Sequence, residues 1–214
     1  ARLGGIETRL AEIADAVGQI TAERREDEVR TIFADISADI QNVDSLTVRA
    51  SPRSVAERMQ YNLARSAARL DRHLRREADL TGLSSIPLDQ IDRLWTLAAA
   101  IRLCQEAAIQ ALFAADELSV AEKYATLCLS EQMALLEGIS PDALSRLVAR
   151  GDPALRSQAL EQARHLSEGI RGGVMALAGQ ISIAGTLRAE GTSGLTYLRQ
   201  VREDESRPLL FLPT

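Results

Sequence analysis

Apolar residues first recur at Ile6, Leu10, Ile13, Val17 and Ile20, in alternating steps of four and three. This spacing makes the a/d seam of a coiled coil, because a 3.5-residue repeat keeps one stripe turned toward a partner helix. The charged run Glu23 to Glu28 interrupts the stripe, which resumes out of phase with Val29, Phe33, Ile36, Ile40 and Val43. An insertion of this kind carries the seam around the helix without ending it. The pattern therefore predicts one long helix over about residues 5–43.

Helix starts and stops are punctuated along the rest of the chain. Ser51-Pro52, with Ser54 and Glu57 as an overlapping capping box, opens a second helix on Val55, Met59, Leu63, Leu70 and Leu74, running to about Asp79. Thr81 to Ser85, with Gly82, breaks it. A third helix runs from near Pro87 to about Ala115, and a Ser119/Glu122 capping box opens a fourth that Gly138 closes. Ser140-Pro141 opens a short helix ending at Gly151, and Asp152-Pro153 at once opens the next. That helix reaches Glu190 unless Gly169, Gly172 and Gly173 kink or split it. A last short helix covers Leu195 to about Glu203. The expected fold is all-α: a bundle of five to seven helices with a long N-terminal coiled-coil-like helix. Residues 1–206 form one helical-bundle domain with a hinge candidate at 81–86, and 207–214 form an apolar C-terminal tail.

Composition narrows this picture. Apolar residues make up 46% and aromatics only 3%, so the core must be Leu, Ile, Val and Ala, which suits close helix packing rather than a sheet. Net charge is −5, whereas nucleic-acid binders usually carry a basic footprint, so a nucleic-acid partner is not expected. Val174 to Leu187 is strongly apolar but only about 14 residues long and includes Gln180, and a membrane span needs roughly 20. No span is expected. The expected location is cytoplasmic, or periplasmic or secreted if a targeting segment once preceded Ala1.

The vocabulary of catalysis is small. There is no glycine-rich phosphate loop, nucleophile elbow, zinc-type Cys/His spacing or acidic calcium loop, and no cofactor is expected. Glu161, His165 and Glu168 share one helix face and form a metal-site candidate, but the Glu-to-His step is four and nothing repeats it, so a solvated polar face is the simpler explanation. The lysine that would complete a phosphotransfer motif around His165 and Gly169 is missing. His73 reads as a surface residue between Arg69 and Glu77. Cys104 and Cys128 fall level across an antiparallel pair whose turn lies near residue 116 or 117; they form a disulfide only if both face the seam, and otherwise are two small buried thiols.

Three surfaces point to binding. Arg58, Arg65, Arg69, Arg72 and Arg76 line one face of the second helix, as an anion or acidic-partner patch or as ion-pair partners for Glu28, Asp35 and Asp39. Gly172, Ala176, Gly179, Ser182 and Thr186 form a small-residue face opposite the apolar stripe of Ile170, Val174, Leu177, Ile181 and Ala184, either a bundle interior or a subunit interface. Leu209, Leu210, Phe211 and Leu212 in the tail are too apolar to stay in water. The expectation is a non-catalytic protein acting through helix-mediated assembly, by self-association or with a protein partner, as adaptor, scaffold or structural subunit. The alternatives are a sensor or regulatory bundle such as a periplasmic signalling domain, and a metal- or ligand-binding bundle.

Overall fold

The computed structural model describes residues 24–48 and 53–203, and within them seven α-helices and no strand are found. In chain order they are α1 (Arg24–Val48), α2 (Arg53–Glu77), α3 (Asp89–Ala114), α4 (Leu118–Gly138), α5 (Pro141–Gly151), α6 (Arg156–Glu190) and α7 (Gly194–Glu203), with a 3-10 turn at Pro153–Leu155 between α5 and α6. The all-α expectation holds. Of the long N-terminal helix, the part from Arg24 onward is described and continues to Val48; residues 1–23, with the first seam, lie outside the described residues, as do Ser51-Pro52 and the tail 204–214.

Position in the bundle follows from how apolar residues are spread around each helix. α3 is apolar on nearly every side, so it is the axle: Ile91, Leu94, Ile101, Cys104, Ala107, Ala108, Leu112 and Phe113 are all buried. It is also long and apolar enough to cross a membrane by length and composition, more so than the Val174 to Leu187 stretch, and most of its apolar window is buried against the other helices. α2 is strongly amphipathic and lies antiparallel to α3. Its buried positions Ala56, Met59, Leu63, Ser66, Leu70 and His73 alternate by three and four. The Arg53–Glu117 ion pair fixes one end, and Gln90 Nε2 donating to the Glu77 carbonyl at 3.3 Å fixes the other. α1 packs across α2 and α3 through Ile32, Ile36, Ile40 and Val43.

α4 and α6 form a second antiparallel pair, joined at one end by the Glu122–Arg188 ion pair. Both carry uninterrupted 3–4 seams: Leu118, Ala121, Ala125, Cys128, Gln132 and Leu135 on α4, and Ala159, Ala163, Leu166, Ile170, Gly173, Leu177, Gln180, Ala184 and Leu187 on α6, all buried. Sequence spacing carried this signal throughout. Counting inward from Glu122 and Arg188 sets Ala125 level with Ala184, Cys128 with Gln180, and Gln132 with Leu177.

The punctuation is confirmed at Ser140-Pro141, Asp152-Pro153 and Gly191. Ser140 Oγ accepts from the Ala143 amide at 3.3 Å and Asp152 Oδ1 from the Ala154 amide at 3.0 Å. α6 ends at Gly191, whose φ of 66° is the left-handed conformation that closes a helix. Two expectations need correction. The Ser119/Glu122 box does not form, because the N-cap of α4 is Glu117, two residues earlier, with no side-chain cap. Gly169, Gly172 and Gly173 neither kink nor split α6.

The turn between α3 and α4 docks the last helix. Asp116 takes a φ of 62° there, unusual for a residue with a side chain, and its Oδ1 accepts the Gly194 amide at 2.8 Å. A Cβ at residue 194 would stand 2.5 Å from the Phe113 carbonyl oxygen, so only glycine lets α7 start so close. Tyr197 on α7 then meets Phe113 edge to face, with ring centroids 6.2 Å apart.

Candidate functional site

Three regions of the molecule combine unusual chemistry with a definite place in the fold: a polar layer inside the bundle, the outward side of the α4/α6 pair, and the arginine face of α2.

The polar layer lies where α3 meets α4. Gln132 Nε2 donates to Gln105 Oε1 at 3.1 Å, and Gln105 Nε2 donates to Glu131 Oε2 at 3.4 Å. Gln180 is buried on the facing seam of α6, near the height of Cys128 and Gln132. Apolar packing divides at this level. One cluster includes Cys104, Leu135 and Ile170, and the other includes Cys128, Leu177 and Ala184. Glu131 looks outward from the layer to Asp71 and Arg75 of α2, whose own ion pair measures 2.6 Å. Burial raises the Glu131 carboxyl above its ordinary range, the neighbouring Asp71 adds to the rise, and Arg75 opposes it.

Cys104 and Cys128 are both free, buried thiols. Tyr124 packs against both apolar clusters and hydrogen-bonds to the Cys128 thiol. Burial pushes Cys128 up to about 12, with the Tyr124 hydrogen bond opposing the rise, and burial raises Cys104 as well. Thiols held this far from ionisation are poor nucleophiles. The chemistry of this layer is therefore hydrogen bonding between helices. A buried polar position in a helical seam fixes register, because a slip would leave its partners unpaired.

The second half of α6 carries no charge on its outward side. No Asp, Glu, Lys or Arg occurs between Arg171 and Arg188. Val174, Ile181, Leu129 and Leu136 flank the seam on the side away from α3, partly exposed. Met133 and Met175 are exposed, at 48% and 68%. The small-residue face expected on this helix divides between two environments. Gly172 and Ala176 are taken up inside the bundle, Gly179 is half-buried, and Ser182 and Thr186 are exposed, with the Thr186 hydroxyl donating to the Ser182 carbonyl at 3.0 Å. What the sequence reading missed is Gly169 and Gly173, one turn apart. A Cβ on Gly169 would collide with the Trp95 ring, and one on Gly173 would lie 3.3 Å from Arg102 Cδ. These glycines seat two large side chains of α3, and Arg102 in turn pairs with Glu106 at 2.7 Å.

On α2, Arg58, Arg65, Arg72 and Arg76 are exposed and Arg69 is half-buried. Of the α1 acids expected to pair with this face, Asp39 accepts a hydrogen bond from Asn62 and lies close enough to Arg58 to feel its charge, while burial holds its carboxyl above the ordinary range. The Glu28 side chain lies outside the described residues. Arg72 donates only to the Ala68 carbonyl of its own helix, at 3.3 Å. His73, expected at the surface, is buried on the inward side, because it occupies a seam position three residues after Leu70.

The remaining candidates fall apart or out of view. His165 and Glu168 approach to 3.8 Å with both side chains about 70% exposed, and Glu161 is exposed one turn away. Among the described residues, no three His, Cys, Asp or Glu side chains converge to hold a metal ion. Leu209, Leu210, Phe211 and Leu212 lie outside the described residues. No protein family, curated protein or solved structure matches this chain.

Proposed function

We propose that this protein works by helix-mediated assembly, with the outward side of the α4/α6 pair docking the same side of a second copy. The observation that carries this reading is the charge-free strip on two adjoining helices in which Met133 and Met175 are exposed and Leu129, Leu136, Val174 and Ile181 are partly exposed. A solvent-facing helix surface normally carries charge. The uncharged stretch from Gly172 to Leu187 that carries it extends about 24 Å along α6 at 1.5 Å per residue.

A second copy is the occupant that the flanking charges favour. On the outward face of α4, Lys123 and Glu137 are both exposed, sit two heptads apart on the same side, and bracket the uncharged stretch of that face. A two-fold axis crossing the pair near Ser130 sets Lys123 of each copy opposite Glu137 of the other. Gly185 has nothing near its Cβ position, so a second backbone can approach there closely.

Sedimentation equilibrium tests this directly. The wild type is expected to self-associate, and Ile181→Glu is expected to be monomeric with unchanged helicity, because position 181 is already partly solvated. A wild-type monomer at every soluble concentration would remove the reading.

A further inference from the structure

A second surface, independent of the α4/α6 strip, lies on α2. We propose that its face built from Tyr61, Arg65, Ala68, Arg72 and Arg76 docks an acidic helical segment of a protein partner.

Charge distribution points to this. α2 carries seven arginines against three acids, a net +4 in a chain of net −5, so the rest of the chain carries −9. At 100° per residue the five positions fall within one narrow sector of the helix. Arg65, Arg72 and Arg76 are exposed, and among the described residues none of the three forms an ion pair. The acids of α2 are directed elsewhere: Glu57 pairs with Arg53 at 2.8 Å, Asp71 pairs with Arg75 at 2.6 Å, and Glu77 Oε2 accepts from Gln90 Nε2 at 3.5 Å. Apart from the Arg72 Nε bond to the Ala68 carbonyl, the three guanidinium groups thus present a row of donors that no carboxylate among the described residues meets.

Shape points to a helix as the occupant. Ala68 leaves a low place between the arginines where the ridge of another helix fits. Tyr61, 63% exposed at the head of the row, supplies an aromatic anchor of the kind that dominates protein interfaces. A partner helix with carboxylates at i, i+7 and i+11 meets Arg65, Arg72 and Arg76 in step, each through a charge-assisted and geometrically selective pair. A nucleic-acid strand fits less well. The row is about 16 Å long and one residue wide, phosphate affinity grows with the number of charges neutralised, and the rest of the chain is strongly acidic.

Fluorescence anisotropy with a labelled synthetic peptide tests the proposal on the full chain. The peptide is an amphipathic helix with glutamates at i, i+7 and i+11. Its comparators are an isomer with the same glutamates distributed around the helix and a single-stranded oligothymidylate. The spaced peptide is expected to bind at low ionic strength, more tightly than either comparator, and to weaken as salt is added. Arg65→Gln/Arg72→Gln/Arg76→Gln is expected to weaken it about tenfold, the product of three exposed pairs. Arg150→Gln/Arg164→Gln/Arg171→Gln, an equal change of charge at exposed positions on α5 and α6, is expected to leave it within about twofold. Circular dichroism checks that both triple variants keep the fold. Absence of binding overturns the proposal, as do equal effects of the two triple variants or equal affinity for the isomer. Tighter binding of the oligothymidylate would reassign the face to nucleic acid.

Discussion

The two halves of α6 use glycine for opposite purposes. In the first half, Gly169 and Gly173 lie under Trp95 and Arg102, so the missing side chains are replaced by side chains of α3. In the second half, Gly185 has nothing within van der Waals reach of its Cβ position. One helix therefore contains a glycine notch filled from inside the chain and a glycine surface left open to the outside. A glycine within a helix weakens it by about 1 kcal/mol relative to alanine. In the first half that weakness is offset by packing, whereas at Gly185 nothing among the described residues offsets it.

Substituting alanine at each glycine separates the two cases by sign. Gly169→Ala is expected to destabilise the fold by about 1–3 kcal/mol, since the new methyl forces the Trp95 ring out of its seat. Urea denaturation measures the loss, and Trp95 is the only tryptophan, so native fluorescence reports the displaced ring directly. Adding Trp95→Ala is expected to recover part of the loss by removing the collision. A Gly169→Ala protein as stable as the wild type, with unchanged emission, would erase the distinction between the two halves.

The polar layer supplies the next effect. Gln132→Leu leaves the buried Gln105 without its donor, and an orphaned buried polar group costs about 1–2 kcal/mol. Gln105→Leu/Gln132→Leu removes both partners and is expected to be less destabilised than the single variant, though Glu131 then loses the Gln105 hydrogen bond. Equal losses in the single and double variants would show that the two amides do not act as a pair. Gly185→Ala comes third and has the opposite sign. It is expected to stabilise the protomer by about 0.5–1 kcal/mol, because a better helix former enters open space. The same methyl is expected to weaken self-association if a second copy approaches at Gly185. Raised melting with unchanged association would keep the open space but move the interface away from it.

How much of this was legible beforehand differs between local and non-local features. Ser140-Pro141, Asp152-Pro153 and Gly191 act within a few residues of themselves, so their meaning is written where they stand. The Ser119/Glu122 box had the right residues but lost to the tighter turn that Asp116 makes with Gly194, three helices later in the chain. The 3–4 seams of α4 and α6 were present in the spacing but masked by their content: Ala125, Gln132, Gly173 and Gln180 do not read as core until a partner seam is laid against them. For the same reason Gly172 and Ala176 looked like one surface with Ser182 and Thr186. The spacing is continuous, and only the position of the other helices divides it. His73 was misplaced because its charged neighbours Arg69 and Glu77 suggested a polar face, while its step from Leu70 put it on the seam.

The smallest expected effect concerns the one carboxylate that reaches from the polar layer toward α2. Glu131 faces Gln105 from α3, Asp71 and Arg75 from α2, and lies on the same helix as Tyr124 and Cys128. Its folded-state carboxyl is raised above the ordinary value of 4.5, first by burial and then by Asp71. Between 4.5 and the raised value, the folded protein holds more protons than the unfolded chain, so stability falls as pH climbs through that window and is level above it. Because Glu131 is substantially exposed to solvent, screening limits the effect to a few tenths of a kcal/mol. Asp39 and Asp92, also raised by burial, contribute with the same sign, so the wild-type slope alone does not isolate Glu131. The difference between wild type and Glu131→Gln does. The variant is expected to lose less stability across the window and to keep the Gln105 contact through its amide oxygen. Parallel curves for the two proteins would mean that the layer ends at Gln105 and that Glu131 belongs electrostatically to the solvent.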